Sequence, residues 1–379
     1  MKIFSEEKYT GLSPESFQVV NIDKEIVDTK FNTKPISFFE DVIRRFAKNK
    51  LSVVAFVLIC IIVVFAIIGP SLNPYTFDEQ NLELINLPAK ISFISGWNIF
   101  NGSRVVINRR ADLLDDPNYY NEGSVLEVMN KRLVNDVEMV DVLVDYYIYE
   151  GIEEDDHWFG TDYLGRDSWT RLWRGVRVSL LIAIVSVMAN VFIGIVYGAI
   201  AGYYGGKVDM IMMRISEIIK SFPRIVIITM FILVFGTGLF SIVGALVVKG
   251  WVNTARMVRS QFYRFKNSEY VLAAKTLGVQ DFCIMFRHIL PNSIGPVITY
   301  SMIAIPSAIF AESFLAYIGL GLQAPEPSIG VLLAQGQKVL LQYPEQTLFP
   351  ALLISVLMIS FNMFANGLRD AFDPTQRGE

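Results

Sequence analysis

The sequence predicts an all-α integral membrane protein of six transmembrane helices, with a small α/β insertion outside the membrane. Three observations predict it. Apolar residues make up 53% of the 379 and charged residues only 18%, with a mean hydropathy of +0.41, whereas soluble domains carry about a quarter charged residues. Six apolar runs are each long enough to cross a hydrocarbon core of about 30 Å as a helix. One long, acidic, polar segment separates the first run from the second.

The N-terminal arm, residues 1–50, is polar over its first 35 or so positions and reads as a flexible arm or a segment lying along the membrane surface. It ends in the basic cluster Arg44, Arg45, Lys48 and Lys50, and the first span, 51–69, follows at once. That run is too long and too far from the terminus for a cleaved signal peptide, so it reads as a retained anchor. Residues 70–157 form the insertion, and the core membrane domain occupies 158–379. Within the insertion, Val125, Val128, Met129 and Leu133 stand at helical spacing and predict a helix over 124–135. The stretch from Val137 to Tyr149, rich in β-branched and aromatic residues, predicts a strand. The remaining spans are expected at 178–201, 211–235, 240–257, 294–318 and 348–364. In the third, Lys220, Pro223 and Arg224 interrupt the apolar run and predict a kink.

Six spans put both termini on one side. The short basic turn around Lys207 and Arg214, the arm, and the segment from Arg256 to Arg287 are assigned to the cytoplasm, and the acidic insertion to the outside. A net charge of −4 and a pI near 5.5 leave no basic footprint for nucleic acid. The two cysteines, Cys60 and Cys283, and the two histidines, His157 and His288, are each far apart, which argues against a disulfide or a metal centre. No G-x-x-x-x-G-K-[ST] run occurs, so this chain has no phosphate-binding loop of its own.

The most informative segment is Glu269–Gly278 (EYVLAAKTLG), followed by 279–287 and then His288–Pro291 (HILP). Tyr270 to Thr276 reads as a short helix in which Ala273 and Ala274 offer a small-residue surface to a partner, with Leu277 beside it. Gly278 suits the helix end, where the chain turns through positive φ. Asp281 to Leu290 reads as a second short helix, with Pro291 opening the fifth span. Two short helices at an angle make a knob that can seat in a groove. This segment resembles the "EAA" coupling loop of bacterial ABC importer permeases, with Ala273, Ala274, Gly278, Leu290 and Pro291 at the motif positions. Leu272 stands where that motif has glutamate and His288 where it has isoleucine, so the shape is retained without the carboxylate.

Other segments narrow the resemblance. Phe159–Asp167 (FGTDYLGRD), Gly202–Asp209 (GYYGGKVD), Phe314–Gly321 (FLAYIGLG), Pro325–Gly330 (PEPSIG) and Asn366–Pro374 (NGLRDAFDP) resemble the dipeptide and oligopeptide permeases, specifically the second of the two in such systems. The resemblance covers about Trp158 to the end. It implies the type I importer fold and a place in the bacterial cytoplasmic membrane. It also implies a heterodimer with a sister permease, two cytoplasmic ATPase subunits and an external peptide-binding protein, with ATP and Mg on the ATPases and no cofactor on this chain. ATP hydrolysis by the partners would then drive alternating access for oligopeptides or dipeptides. The same family also moves nickel and metal chelates. An ion-coupled secondary transporter would call for paired half-repeats and helices broken at midplane, neither visible in the sequence; a membrane-anchored sensor would leave the knob unexplained.

Residues Gly160, Thr161, Asp162, Gly165, Arg166 and Asp167 read as an elbow just outside the second span. The two glycines permit tight turns, and Asp162, Arg166 and Asp167 are set to pair; the alternative is an interfacial anchor built on Trp158, Trp169 and Trp173. Lys249 and Glu312 fall inside predicted spans, where charge is costly and normally faces a cavity or bundle interior. They are expected to line the path or pair with each other, with a structural hydrogen-bonding role as the alternative for Glu312.

Overall fold

The structure is a computed structural model that describes residues 38–93, 100–114, 116 and 119–372; most of the N-terminal arm and the end of the C-terminal tail lie outside these. The chain divides into two units, 1–41 and 42–379. The first is described only over 38–41, the opening of helix α1 (Phe38–Lys48); everything below concerns the second.

Helix α2 (Lys50–Ile68) is capped by Asn49, whose side chain accepts from the Ser52 amide at 3.3 Å. It is apolar all round, and a single turn at Gly69–Ser71 ends it. The insertion then builds a three-stranded antiparallel sheet, β1 (Ser103–Arg110), β2 (Val125–Val134) and β3 (Val137–Asp145), in the order β1-β3-β2. The strand expected from Val137 is β3, which passes at Tyr146–Tyr149 into one helical turn, α3, capped by Asp145. The helix expected over 124–135 is instead strand β2. Its register against β3 slips between Val125 and Glu127 and again between Met129 and Arg132. These bulges break the period of two, so the apolar residues fall three and four apart and imitate a helix. The β2–β3 turn, Asn135 and Asp136, has both residues at positive φ (52° and 61°), as a two-residue hairpin of this hand requires.

The membrane part consists of α4 (Ser168–Tyr204), α5 (Gly206–Ser221), α6 (Arg224–Phe235), α7 (Leu239–Phe265), α8 (Glu269–Thr276), α9 (Asp281–Cys283), α10 (Leu290–Tyr317), α11 (Ile329–Lys338) and α12 (Glu345–Phe372). Among the described residues, four runs are long and apolar enough to cross a membrane: 50–71, 168–204, 281–317 and 345–372. The kink expected near Pro223 is a bend of 82° between α5 and α6, which cross as a fifth span if they act as one. Helix α7 is 27 residues long, but Lys249, Arg256, Arg259 and Arg264 confine its apolar run to the first part.

Two boundaries differ from expectation for physical reasons. Helix α4 begins ten residues before the expected span, because Asp167 caps it (its carboxylate accepts from the Thr170 amide at 2.8 Å) and its polar first turns are covered by protein. The separate second helix expected at Asp281–Leu290 runs on through a π turn at 284–289 into α10, so Pro291 sits in the first turn of a continuous helix that tolerates it.

One core cluster joins α2, α4, α10 and α12 around Trp169, Trp173, Ile309 and Phe361. Another joins the far ends of α4 and α7 to α8 and the π turn around Tyr203, Phe262, Val271 and Ile284. Helices α4 and α7 approach most closely along Gly194, Gly198 and Gly202. A Cβ on these would lie 2.5 Å from Thr254 Cβ, 2.4 Å from the Ala255 carbonyl oxygen and 2.6 Å from Phe262 Cβ, respectively. Only hydrogen fits there, as in small-residue stripes between membrane helices.

Candidate functional site

At the end of the bundle away from the insertion, α8 projects as a short knob. Val271 and Ala274 face inward onto the Phe262, Ile284 and Ile289 cluster, while Glu269, Tyr270, Ala273 and Leu277 face out; Leu277 is 83% exposed. The two alanines therefore do different work. Ala274 lets α8 lie close to its own chain, and only Ala273 belongs to the free face. Gly278 has φ 75° with nothing within 4 Å of a Cβ, and Phe282 beyond it is 68% exposed. The knob is held from behind: Tyr203 of α4 donates to Asp281 at 2.5 Å, and the Lys266 ammonium donates to the Gly202 carbonyl at 3.3 Å. Leu290 is half-buried and Pro291 exposed at the start of α10, away from the free face of α8.

At the insertion end the elbow is a buried joint. Asp162 accepts from the amides of Leu164 and Arg166 at 2.9 and 3.1 Å and from the Arg166 Nε at 2.8 Å, and Arg171 Nε lies 3.3 Å away. Arg166 and Arg171 are almost wholly buried, and Arg171 also donates to the Phe77 carbonyl at 3.1 Å. Asp167 does not pair with Arg166. It caps α4 and accepts from Asn73 Nδ2 at 2.8 Å, and it lies 2.9 Å from His157 Nδ1. Thr161 Oγ1 donates to the Leu84 carbonyl and accepts from the Leu87 amide. Gly160 and Gly165, at φ 71° and 69°, lie so close to residues 81–89 that a Cβ would fall 2.2 Å from the Leu87 oxygen and 1.7 Å from the Asn81 oxygen. Of the three tryptophans of the interfacial-anchor alternative, Trp169 and Trp173 are each only 9% exposed, with Trp169 Nε1 donating to the Gly69 carbonyl, while Trp158 is partly buried.

His157 carried no pattern by which the sequence could single it out. It is 3% exposed, stacked 4.2 Å from Tyr75, and completes the Asp167 cluster. Burial, with the Asp155 carboxylate next in weight, pushes the Tyr75 hydroxyl up to about 12, so it stays neutral there.

Lys249 and Glu312 are not paired. Glu312 is wholly buried and accepts from Ser179 Oγ at 3.0 Å and Ser328 Oγ at 2.5 Å, joining α4, α10 and the start of α11, which matches the hydrogen-bonding alternative. Lys249 donates to the Phe222 carbonyl at the α5–α6 bend and lines a cavity of about 340 Å³ among α4, α5, α6, α7 and α10. Lys220 and Arg224, read from the sequence only as interruptions of a span, line the same cavity.

Comparison with known proteins covers nearly the whole chain. Residues 194–378 match the family described as binding-protein-dependent transport system inner membrane component, and 37–89 match the N-terminal TM domain of oligopeptide transport permease C. A dipeptide transport system permease protein of Bacillus subtilis is 34% identical over 96% of this chain and 94% of its own length. An oligopeptide transport system permease protein of the same organism is 33% identical over 92% and 93%. A dipeptide transport system permease protein of Lactococcus lactis is 38% identical over 89% and 91%.

Proposed function

This chain belongs to the dipeptide and oligopeptide permeases of ABC importers, a family of multi-pass membrane permeases and not of enzymes, and from that premise we propose that it forms half of a translocation path for short peptides. In this reading its partners are a sister permease, two ATPase subunits that bind ATP and Mg, and an external peptide-binding protein. It lies in a bacterial cytoplasmic membrane with both termini and the α8 knob on the cytoplasmic side, and with the insertion outside.

The observation that carries the reading is the build of the knob. An exposed face of Glu269, Tyr270, Ala273 and Leu277 stands on a short helix whose other face is welded to α4, α7 and α10. A partner that grips the exposed face and moves must move those helices too. ATP binding would then shift the bundle between two states by making different contacts in each, which is all that coupling requires.

The test is reconstitution of the complete transporter with its binding protein in vesicles, with uptake of tri-alanine followed with and without ATP. Uptake should require ATP. Leu277→Asp places a charge on the exposed face without touching the core, and should cut uptake at least tenfold while the complex still assembles in the membrane. Uptake that is independent of ATP, or unchanged in L277D, would refute the reading.

A further inference from the structure

The cavity at the α5–α6 bend has a composition that the coupling role does not explain. Among the described residues, three cations line it, Lys220, Arg224 and Lys249, and no carboxylate does. Lys249 spends one donor on the Phe222 carbonyl and Lys220 one on Asn253 Oδ1 at 3.2 Å; Arg224 has no side-chain partner among the described residues. Two further lining groups are buried and unpartnered: Ser186 Oγ, on a residue that is wholly buried, and Asn190 Oδ1. The Asn190 amide is held in place by Gly250, where a Cβ would come within 2.2 Å of its nitrogen.

Lys220 and Arg224 are exposed and Lys249 is partly buried, and like charges gathered at a cavity of a membrane protein favour the receipt of an opposite charge there. A cleft lined by one sign of charge concentrates its field on an anion. An unpartnered amide oxygen beside it, an acceptor only, wants an N–H. One ligand chemistry meets both needs: a carboxylate with an amide N–H next to it. We propose that this cavity is a docking site for the C-terminal end of a peptide in transit, with Lys249, Arg224 and Lys220 facing the carboxylate, Ser186 donating to it, and Asn190 Oδ1 accepting the last peptide N–H. This deepens the peptide-transport reading and rests on it. A lipid phosphate shares the anionic chemistry but lacks the N–H.

The experiment measures equilibrium binding of N-terminally labelled tri-alanine and of its C-terminal amide to the complete transporter, without binding protein, in discs of zwitterionic lipid. The free acid should bind on the order of tenfold more tightly than the amide, the size of one or two hydrogen bonds to a charged group. Lys249→Met and Arg224→Gln should each bring that ratio close to one, and Lys249→Arg should keep most of it. Equal binding of acid and amide by the unaltered transporter, or an undiminished ratio in both neutralised variants, overturns the proposal. So does a ratio that vanishes when anionic lipid is added to the discs, because the cations then serve lipid. If the acid preference holds but vesicles show no ATP-dependent tri-alanine uptake, the transport reading falls and the site stands.

Discussion

Asp162 shows how much one side chain can organise. It sits between two buried guanidinium groups and accepts two backbone amides. Asp162→Asn keeps the shape and removes the charge that compensates Arg166 and Arg171. Breaking a buried pair by removing one partner costs about 3–5 kcal/mol, so the variant should assemble poorly and denature at a markedly lower temperature in detergent. A thermal stability assay on the purified complex checks this. The pairing of Asp162 with Arg166 was legible in the sequence, because the two stand four apart between glycines. Arg171, His157 and Asn73 were not: Arg171 and His157 reach Asp162 and Asp167 from nine and ten residues away, a separation with no helical or strand meaning. Their other contacts, to Phe77 and Tyr75, like that of Asn73 to Asp167, join chain about 80 to 95 residues apart. The same limit separated Lys249 from Glu312: hydropathy marks a charge within a span, but only packing tells a cavity wall from a buried hydrogen-bonding bridge.

At the scale of elements, legibility followed apolar continuity. The long apolar runs and the break at Pro223 could be read directly, because bilayer thickness and the proline ring impose them. The start of α4 and the fusion of α9 with α10 could not, because tertiary cover and a π turn decide them. Strand β2 imitates a helix in sequence through its bulges, and those bulges have a chemical anchor. Asp141, buried on the central strand, accepts from the Asn108 amide at 2.9 Å, from Asn130 Nδ2 at 3.0 Å and from Arg132 at 2.6 Å, so one carboxylate pins the irregular stretch of both neighbouring strands. The Asn108 amide and then the Asn130 amide hold its pKa below the ordinary carboxylate value. A carboxyl depressed in the folded state contributes stability above its unfolded pKa and loses it as pH falls through the folded one. Hydrogen exchange in the β2–β3 hairpin should therefore quicken as pH drops below the usual carboxylate range, after correction for intrinsic rates. Asp141→Asn should exchange faster at neutral pH and show no such acid step.

At the scale of the molecule, the insertion is not one appendage but two parts. Residues 73–90 supply Asn73, Tyr75, Phe77, Leu84 and Leu87 to the joint at the head of α4, and the sheet lies beyond them. Replacing 73–90 with a glycine-serine linker should strip the transporter from membranes, as measured by subunit abundance, because it removes the Phe77 carbonyl from Arg171 and Asn73 from Asp167 and uncovers Gly160 and Gly165. Cutting back the exposed β2–β3 turn at Asn135 and Asp136 should leave abundance unchanged. The glycine seam between α4 and α7 carries a different consequence. Side-chain interfaces are compliant, since rotamers give way before backbones do. Glycine backbone pressed on Cβ atoms and a carbonyl oxygen of the facing helix has no such slack. Helices α4 and α7 therefore pack as one stiff unit along this seam, which runs between the α8 knob and the mid-helix wall bearing Lys249 and Asn190. A displacement applied at the knob is therefore expected to reach that wall. A methyl group added to the seam would act as a wedge, forcing the two helices apart where the knob and the wall are joined.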